Sequence, residues 1–340
     1  MSLLTALAFL FVAPLPLLAH LGHPERSFEI FLTPQFKSAM AMFGFVYAWY
    51  LMVVLILEIW FDFRKDFVIW SKTEKGWRKV VHKILTLGST SLSKESIEFD
   101  KKAAKFITII GIPSAFLLHR YVGFIFGSIK ANPWWSSVLM PVVFLFSAIV
   151  SGIALMTLIY IVTTLFRFKE IDMKCLEKLA SFLLYVLIID LSLEMLDFIH
   201  LLYESEESIK ILSTMIEKRL FASLIVVQLI IGTLVPMGIL ASIKLKQIPG
   251  ELKKFLIFIA VILVQIGIFS TRWNVVIGGQ LFSKSLRGLT VYKMQLFGLE
   301  GLFVSIGLLI LPFIILYILF KIMPPWPDKE AKLDVNAASK

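Results

Sequence analysis

The chain has 340 residues, of which 58% are hydrophobic and 17% charged, with a mean hydropathy of +0.86. That balance excludes a soluble domain and fits an all-α polytopic membrane protein. The formal charge of +10 would suit a nucleic-acid binder if the cations were clustered, but the Lys and Arg fall between apolar stretches and so report topology, with no nucleic acid implied.

Stretches apolar enough to cross about 30 Å of hydrocarbon occur near residues 3–19, 38–60, 106–126, 138–166, 180–202, 221–243, 255–271 and 296–320. The first is short and holds Pro14 and Pro16. It has no Lys or Arg ahead of its apolar run and no small-x-small cleavage site, so it reads as a membrane helix rather than a signal peptide. The second ends near Glu58, placed where snorkelling to water suffices. The connection 61–105 reads as a basic cytoplasmic loop. Its piece WSKTEKGWRKVVHKIL, with Trp70 and Trp77, suits a headgroup interface. The third span carries His119, Arg120 and Tyr121 near its outer end.

The fifth span, 180–202, carries Asp190, Glu194 and Asp197. Each acid at a helix centre costs about 2.5–3.5 kcal/mol on insertion, while each Leu, Ile or Phe returns about 0.3–0.6. At about 100° per residue the three acids lie near 0°, 40° and −20°, one narrow stripe that must face protein or water rather than lipid. His200 lies further out. Gln228 falls in the outer half of the sixth span, Arg272 and Asn274 cap the seventh, and Glu300 opens the eighth.

The connections 61–105, 167–179 and 244–254 and the tail 321–340 hold 23 of the 34 Lys and Arg. The positive-inside rule then places these segments and both termini in the cytoplasm, with the chain multi-pass in the cell membrane. Almost every costly intramembrane group consequently lies in the outward half. One reading of that cluster is structural, with Arg120 or Arg272 paired to Asp190 or Glu194. The other is a redox site for a quinone, where His or Tyr bonds a carbonyl oxygen, a carboxylate passes the proton and Arg steadies negative charge. The lone Cys175 cannot supply an iron–sulfur cluster, a c-type haem or an internal disulfide. His119 and His200 lie at similar depth and are the candidates for one b haem. A two-haem cytochrome needs four such histidines, whereas His20 and His23 are in a loop and His82 is cytoplasmic. No haem, iron–sulfur cluster or metal is therefore expected in this chain.

Three stretches, 18–45 (LAHLGHPERSFEIFLTPQFKSAMAMFGF), 111–156 (GIPSAFLLHRYVGFIFGSIKANPWWSSVLMPVVFLFSAIVSGIALM) and 272–280 (RWNVVIGGQ), together resemble the NrfD family, which includes the polysulfide reductase membrane subunit. The first is similar to its Leu-Gly-x-Pro-x-Arg loop and Ser-x-Met helix start, the second to its Gly-x-Pro helix and Tyr-x-Gly element. The resemblance implies eight helices in two four-helix bundles, here about 1–166 and 180–320, within one transmembrane domain. It also implies a menaquinone or menaquinol site near the outer face and a ferredoxin-like iron–sulfur subunit docked outside. Tyr121 looks like the family's quinone-contacting tyrosine, with His20, His119, Arg120 and Arg272 as further quinone-binding candidates. Asp190, Glu194 and Asp197 then become the proton route. This chain departs from the pattern at His20, where Asp is commoner, and at His23, where Arg is. The run from Arg272 through Asn274, Gly278, Gly279 and Gln280 suits an outer turn that meets the partner, although a purely structural turn explains the double glycine as well. The absence of cofactor ligands and the His-rich outer region also resemble the integral subunits of menaquinol-oxidising complexes, which implies cytochrome b-type and heterodisulfide-reductase-like partners in sulfur metabolism. Two other classes fit the same residues. One is an ion-coupled transporter, for which Pro236 and paired glycines would break helices but no inverted repeat is visible; the other is a structural membrane anchor.

Overall fold

The structure is a computed structural model that describes residues 1–33, 35–204, 209–283, 288–299 and 301–326, with His20, Glu204 and Ile209 described by backbone alone. Expectations for the His20 side chain, for Glu300 and for the tail beyond 326 lie outside the described residues. Among the described residues eight helices are long and apolar enough to cross a membrane: α1 (Ser2–Ala19), α2 (Ala39–Thr73), α4 (Lys94–Gly127), α5 (Met140–Phe166), α6 (Met173–Tyr203), α7 (Lys210–Leu245), α8 (Gly250–Gln280) and α9 (Leu302–Ile322). A short helix, α3 (Trp77–Leu85), lies between α2 and α4. Among the described residues the only β pairing is the isolated bridge Phe282–Leu289. The chain is an all-α polytopic membrane protein.

Helix ends follow local chemistry. α1 breaks between Val12 and Leu15, around Pro14, whose ring removes a backbone donor. Ser38 caps α2 by accepting from the Ala41 backbone N–H (3.4 Å). α7 is wound in wide π turns over Ile216–Leu234, where the Thr233 hydroxyl reaches the Gln228 carbonyl five residues back (3.0 Å).

The connection 61–105 is not a simple loop. α2 runs on to Thr73 and α4 begins at Lys94, so both helices project past the apolar stretches, and the expected loop shrinks to the segment around α3. The buried Arg64, 1% exposed, holds these extensions together. It donates through Nε to Asp100 (2.7 Å), through Nη1 to Ser89 Oγ (3.0 Å) and the Ser91 carbonyl (2.9 Å), and through Nη2 to Ser96 Oγ (2.8 Å). All five donors of a guanidinium need partners when buried, and this pocket supplies most of them. Removing one member of such a pair strands the other, which costs about 3–5 kcal/mol. Arg64→Ala should therefore lower the unfolding temperature of the detergent-solubilised chain sharply, whereas Lys72→Gln, at an exposed position further along the same helix, should leave it unchanged. Glu58 does not simply snorkel: Thr108 of α4 donates to its Oε1 at 2.6 Å.

The chain divides into two compact units, one of Met1–Leu118 with Met294–Lys340 and one of His119–Lys293. This differs from the expected division into 1–166 and 180–320. The last helix belongs with the first, through contacts such as the edge-to-face pair Phe9–Phe313 (5.5 Å). α5 belongs instead with α6, α7 and α8. Val150, Ala154 and Ile161 of α5 share one buried apolar cluster with Leu183 and Leu187 of α6, Leu240 of α7, and Val261 and Val264 of α8.

In this second unit α7 and α8 cross at Gly232 and Gly267, where a Cβ on either glycine would overlap the other's backbone. Small residues let membrane helices approach this closely. Gly232→Leu should force the helices apart, and little folded protein should be recovered from membranes, as read by size-exclusion chromatography.

Candidate functional site

The four helices of the second unit change character at one depth. The ends near Phe166, Met173, Leu245 and Gly250 are filled by the apolar cluster around Leu183, Leu240 and Val261, and the other ends by a second cluster of Trp134, Leu201, Met215 and Leu220. Between the two, each helix contributes polar groups: Ser147 from α5, Asp190, Glu194 and Asp197 from α6, Gln228 from α7, and Thr271, Arg272 and Asn274 from α8. The exposed side of α6, with Ile188, Leu196 and Ile199, lies opposite the acids. The acidic stripe thus faces inward, and Asp190 is only 3% exposed.

A cavity of about 210 Å³ opens in this layer. Its walls are largely apolar, from Met140, Val143, Phe144, Phe198, Leu224 and Ile225, while Glu194, Asp197, Gln228, Arg272 and Asn274 form its polar side. Asn274 Nδ2 donates to Gln228 Oε1 (2.8 Å), which fixes the Gln228 amide so that its Nε2 donates to Glu194 Oε2 (3.2 Å). Arg272 reaches Ser147 Oγ (3.2 Å) through Nη2, and its guanidinium lies over the Phe144 ring (4.2 Å). It lies close enough to Asp190 and Glu194 to interact electrostatically, yet forms no ion pair among the described residues. Asp197 accepts from the Ser137 hydroxyl, whose oxygen also takes the Leu139 N–H (3.1 Å).

In this polar layer the buried atoms Asp190 Oδ1, Arg272 Nη1 and Asn274 Oδ1 have no hydrogen-bond partner among the described residues. Unsatisfied buried polar atoms are rare, and each calls for a water, an ion or a ligand. Here a donor and an acceptor of that kind belong to residues lining one cavity, with a carboxylate one helix turn deeper than Glu194.

A lid of two indoles closes the end of this unit. Asn132 donates to the Gly279 carbonyl (2.8 Å), Trp134 Nε1 to the Asn274 carbonyl (2.9 Å) and Trp135 Nε1 to the Val275 carbonyl (2.6 Å). A Cβ at Gly278 would overlap the Trp134 indole, and one at Gly279 the Trp135 indole. The double glycine is therefore the seat of this lid. Of the four residues expected to meet a partner, Asn274, Gly278 and Gly279 are buried in the unit, and Gln280 alone has an exposed side chain.

Among the other expected site residues, the structure brings Arg272 together with Glu194 and Asp197 at the cavity wall and sets Asp190 beneath them. His119, Arg120 and Tyr121 follow one another on α4, His119 and Arg120 exposed and Tyr121 half-buried against Phe124 (5.5 Å), and none of them lines the cavity. Gln228 stands out in the sequence only as a lone amide at the depth of the acids, with no role attached to it. Ser137 and Ser147 give no signal there, since serine is common in a membrane helix or turn.

The sequence matches the family described as "Polysulphide reductase, NrfD" over residues 1–284. It is 34% identical to a selenate reductase subunit of Mesobacillus selenatarsenatis over 208 residues, 60% of this chain and 48% of the relative. It is 25% identical over 190 residues, 54% of this chain and 39% of the relative, to a putative dimethyl sulfoxide reductase membrane subunit of Halobacterium salinarum. The chain thus spans half or less of the length of these relatives. With a match that runs through α1 to α8 and includes every residue of the polar layer, this eight-span protein belongs to the polysulphide reductase NrfD family.

Proposed function

We propose that this protein is the quinone-reactive membrane subunit of a respiratory oxidoreductase complex. It takes electrons from menaquinol and passes them to an external ferredoxin-like iron–sulfur subunit. The relatives' names point to reductases, which consume electrons, and a membrane subunit that feeds one needs a lipid-soluble donor. The cavity carries the reading. An apolar cavity of about 150 Å³ holds a benzene, so 210 Å³ receives a larger fused ring while an isoprenoid tail stays in lipid.

Oxidation of a quinol releases two electrons and two protons. Arg272 would face one ring oxygen through Nη1, and Glu194, held at Oε2 by Gln228, would accept the two protons in turn, handing on the first before taking the second. Asp197, one turn outward on α6, would pass each toward the outer face. Asp190, set deeper, would link the site to a proton path on the cytoplasmic side. The ring oxygens would meet Arg272 and Glu194 in this scheme, with His119 and Tyr121 outside the reacting layer.

The test is purification of the native complex from membranes, with quinone extraction and anaerobic addition of a menaquinol analogue. The proposal expects bound menaquinone and reduction of the partner's clusters on mixing. A complex that lacks quinone and leaves the clusters oxidised, or a chain that alone drives cation uptake into proteoliposomes, would favour the transporter reading.

A further inference from the structure

α3 is fastened to the first unit by one face. His82, 1% exposed, lies 2.9 Å through Nε2 from the carbonyl oxygen of Ile322 at the end of α9, and its Nδ1 lies 2.9 Å from Glu74 Oε2. Its ring packs against Phe67 (6.2 Å) and Trp70 (5.0 Å) of α2. Thr86, just past the helix, is buried as well. α3 is thereby fixed beside the Lys/Arg-rich ends of two membrane-spanning helices.

Among the described residues the other face is exposed. Trp77, Val80, Ile84 and Leu87 are 60%, 58%, 66% and 74% exposed. At about 100° per residue Trp77, Val80 and Ile84 occupy an arc of roughly 60°, and Leu87 follows just past the end of the helix. Lys83 and Lys79, both exposed, follow on the Val80 side of that arc, about 60° and 100° round from Val80, and Lys72 and Lys75 stand exposed at the end of α2. The nearby acid Glu74 lies 2.9 Å from His82 Nδ1 and 3.8 Å from Arg78 Nη1.

We infer that α3 is a binding surface for anionic phospholipid of the surrounding bilayer. Trp77, Val80, Ile84 and Leu87 would sit at the acyl boundary, with Lys79 and Lys83 on the headgroup phosphates. An amphipathic helix with an aromatic residue on its apolar face and cations beside it is built for that interface. Charge complementarity favours lipid over a protein subunit, because lysine is depleted from protein interface cores.

The purified full-length chain, delipidated in detergent, is titrated with dioleoyl phosphatidylglycerol or dioleoyl phosphatidylcholine, and bound lipid is counted by native mass spectrometry. Wild type should prefer phosphatidylglycerol. K79Q/K83Q should weaken its binding about 25-fold, about fivefold per lysine, and K79R/K83R should retain it. Equal binding of the two lipids by wild type, or undiminished phosphatidylglycerol binding by K79Q/K83Q, would overturn the inference. So would W77S/I84S if it released a protein subunit from the native complex while phosphatidylglycerol binding stayed unchanged.

Discussion

Arg272→Gln should lower menaquinol-driven reduction of the iron–sulfur partner by about 10²–10³-fold, the usual loss when one preorganised electrostatic donor is removed from a water-poor site. Arg272 is the cation that lines the cavity, and its Nη1 is uncommitted while Nη2 is anchored on Ser147. The guanidinium is thus aimed rather than merely present. Arg272→Lys keeps the charge but loses the fork and the flat contact with Phe144 (4.2 Å), so it should recover only part of the rate. Initial rates are to be compared at equal amounts of assembled complex, measured by immunoblot of membranes. If Arg272 served only as a structural counter-charge to Asp190 and Glu194, the amount of complex would fall and the rate per complex would not.

Glu194→Gln carries the second large effect. Glutamine preserves the side chain's shape and can still accept from Gln228 Nε2, so the hydrogen-bonded chain from Asn274 through Gln228 survives. It cannot carry a proton, and loss of a positioned acid–base group costs about 10²–10⁴-fold. Turnover should drop in that range while a quinone-site inhibitor still binds. Asn274→Leu acts one step further away: it frees the Gln228 amide to rotate, so rate should fall less and Gln228→Leu should add little on top of it. Asp190→Asn separates the proposed paths. If quinol oxidation and proton stoichiometry were both unchanged in that variant, Asp190 would have no part in proton transfer.

Much of this architecture is legible in the sequence because hydrocarbon thickness sets a length that apolar stretches must meet. The same criterion stops at the first charges, which is why it ends α2 near residue 60 rather than at Thr73. Arg64 and Asp100 read as solvated loop charges until the two helix extensions bring them to 2.7 Å. The acidic stripe of α6 is legible from insertion energy alone. Its partners are legible one at a time, by depth, but not the order of their hydrogen bonds. Gly278 and Gly279 announce a close approach, yet what approaches is Trp134 and Trp135, about 140 residues earlier in the chain. No local pattern encodes that pairing. The same is true of the packing of α9 on α1, which decides how the helices divide between the two units.

The central claim is that a quinone ring reacts in the cavity between α5, α6, α7 and α8. Photo-cross-linking of the native complex with an azido-menaquinone, followed by peptide mapping, tests it most directly. Label is predicted on α6 near Glu194–Phe198 and on α8 near Thr271–Val275, competed by unmodified menaquinone and diminished in Arg272→Gln. Competable label confined to residues 1–118 and 294–326, with none in these two segments, would contradict it.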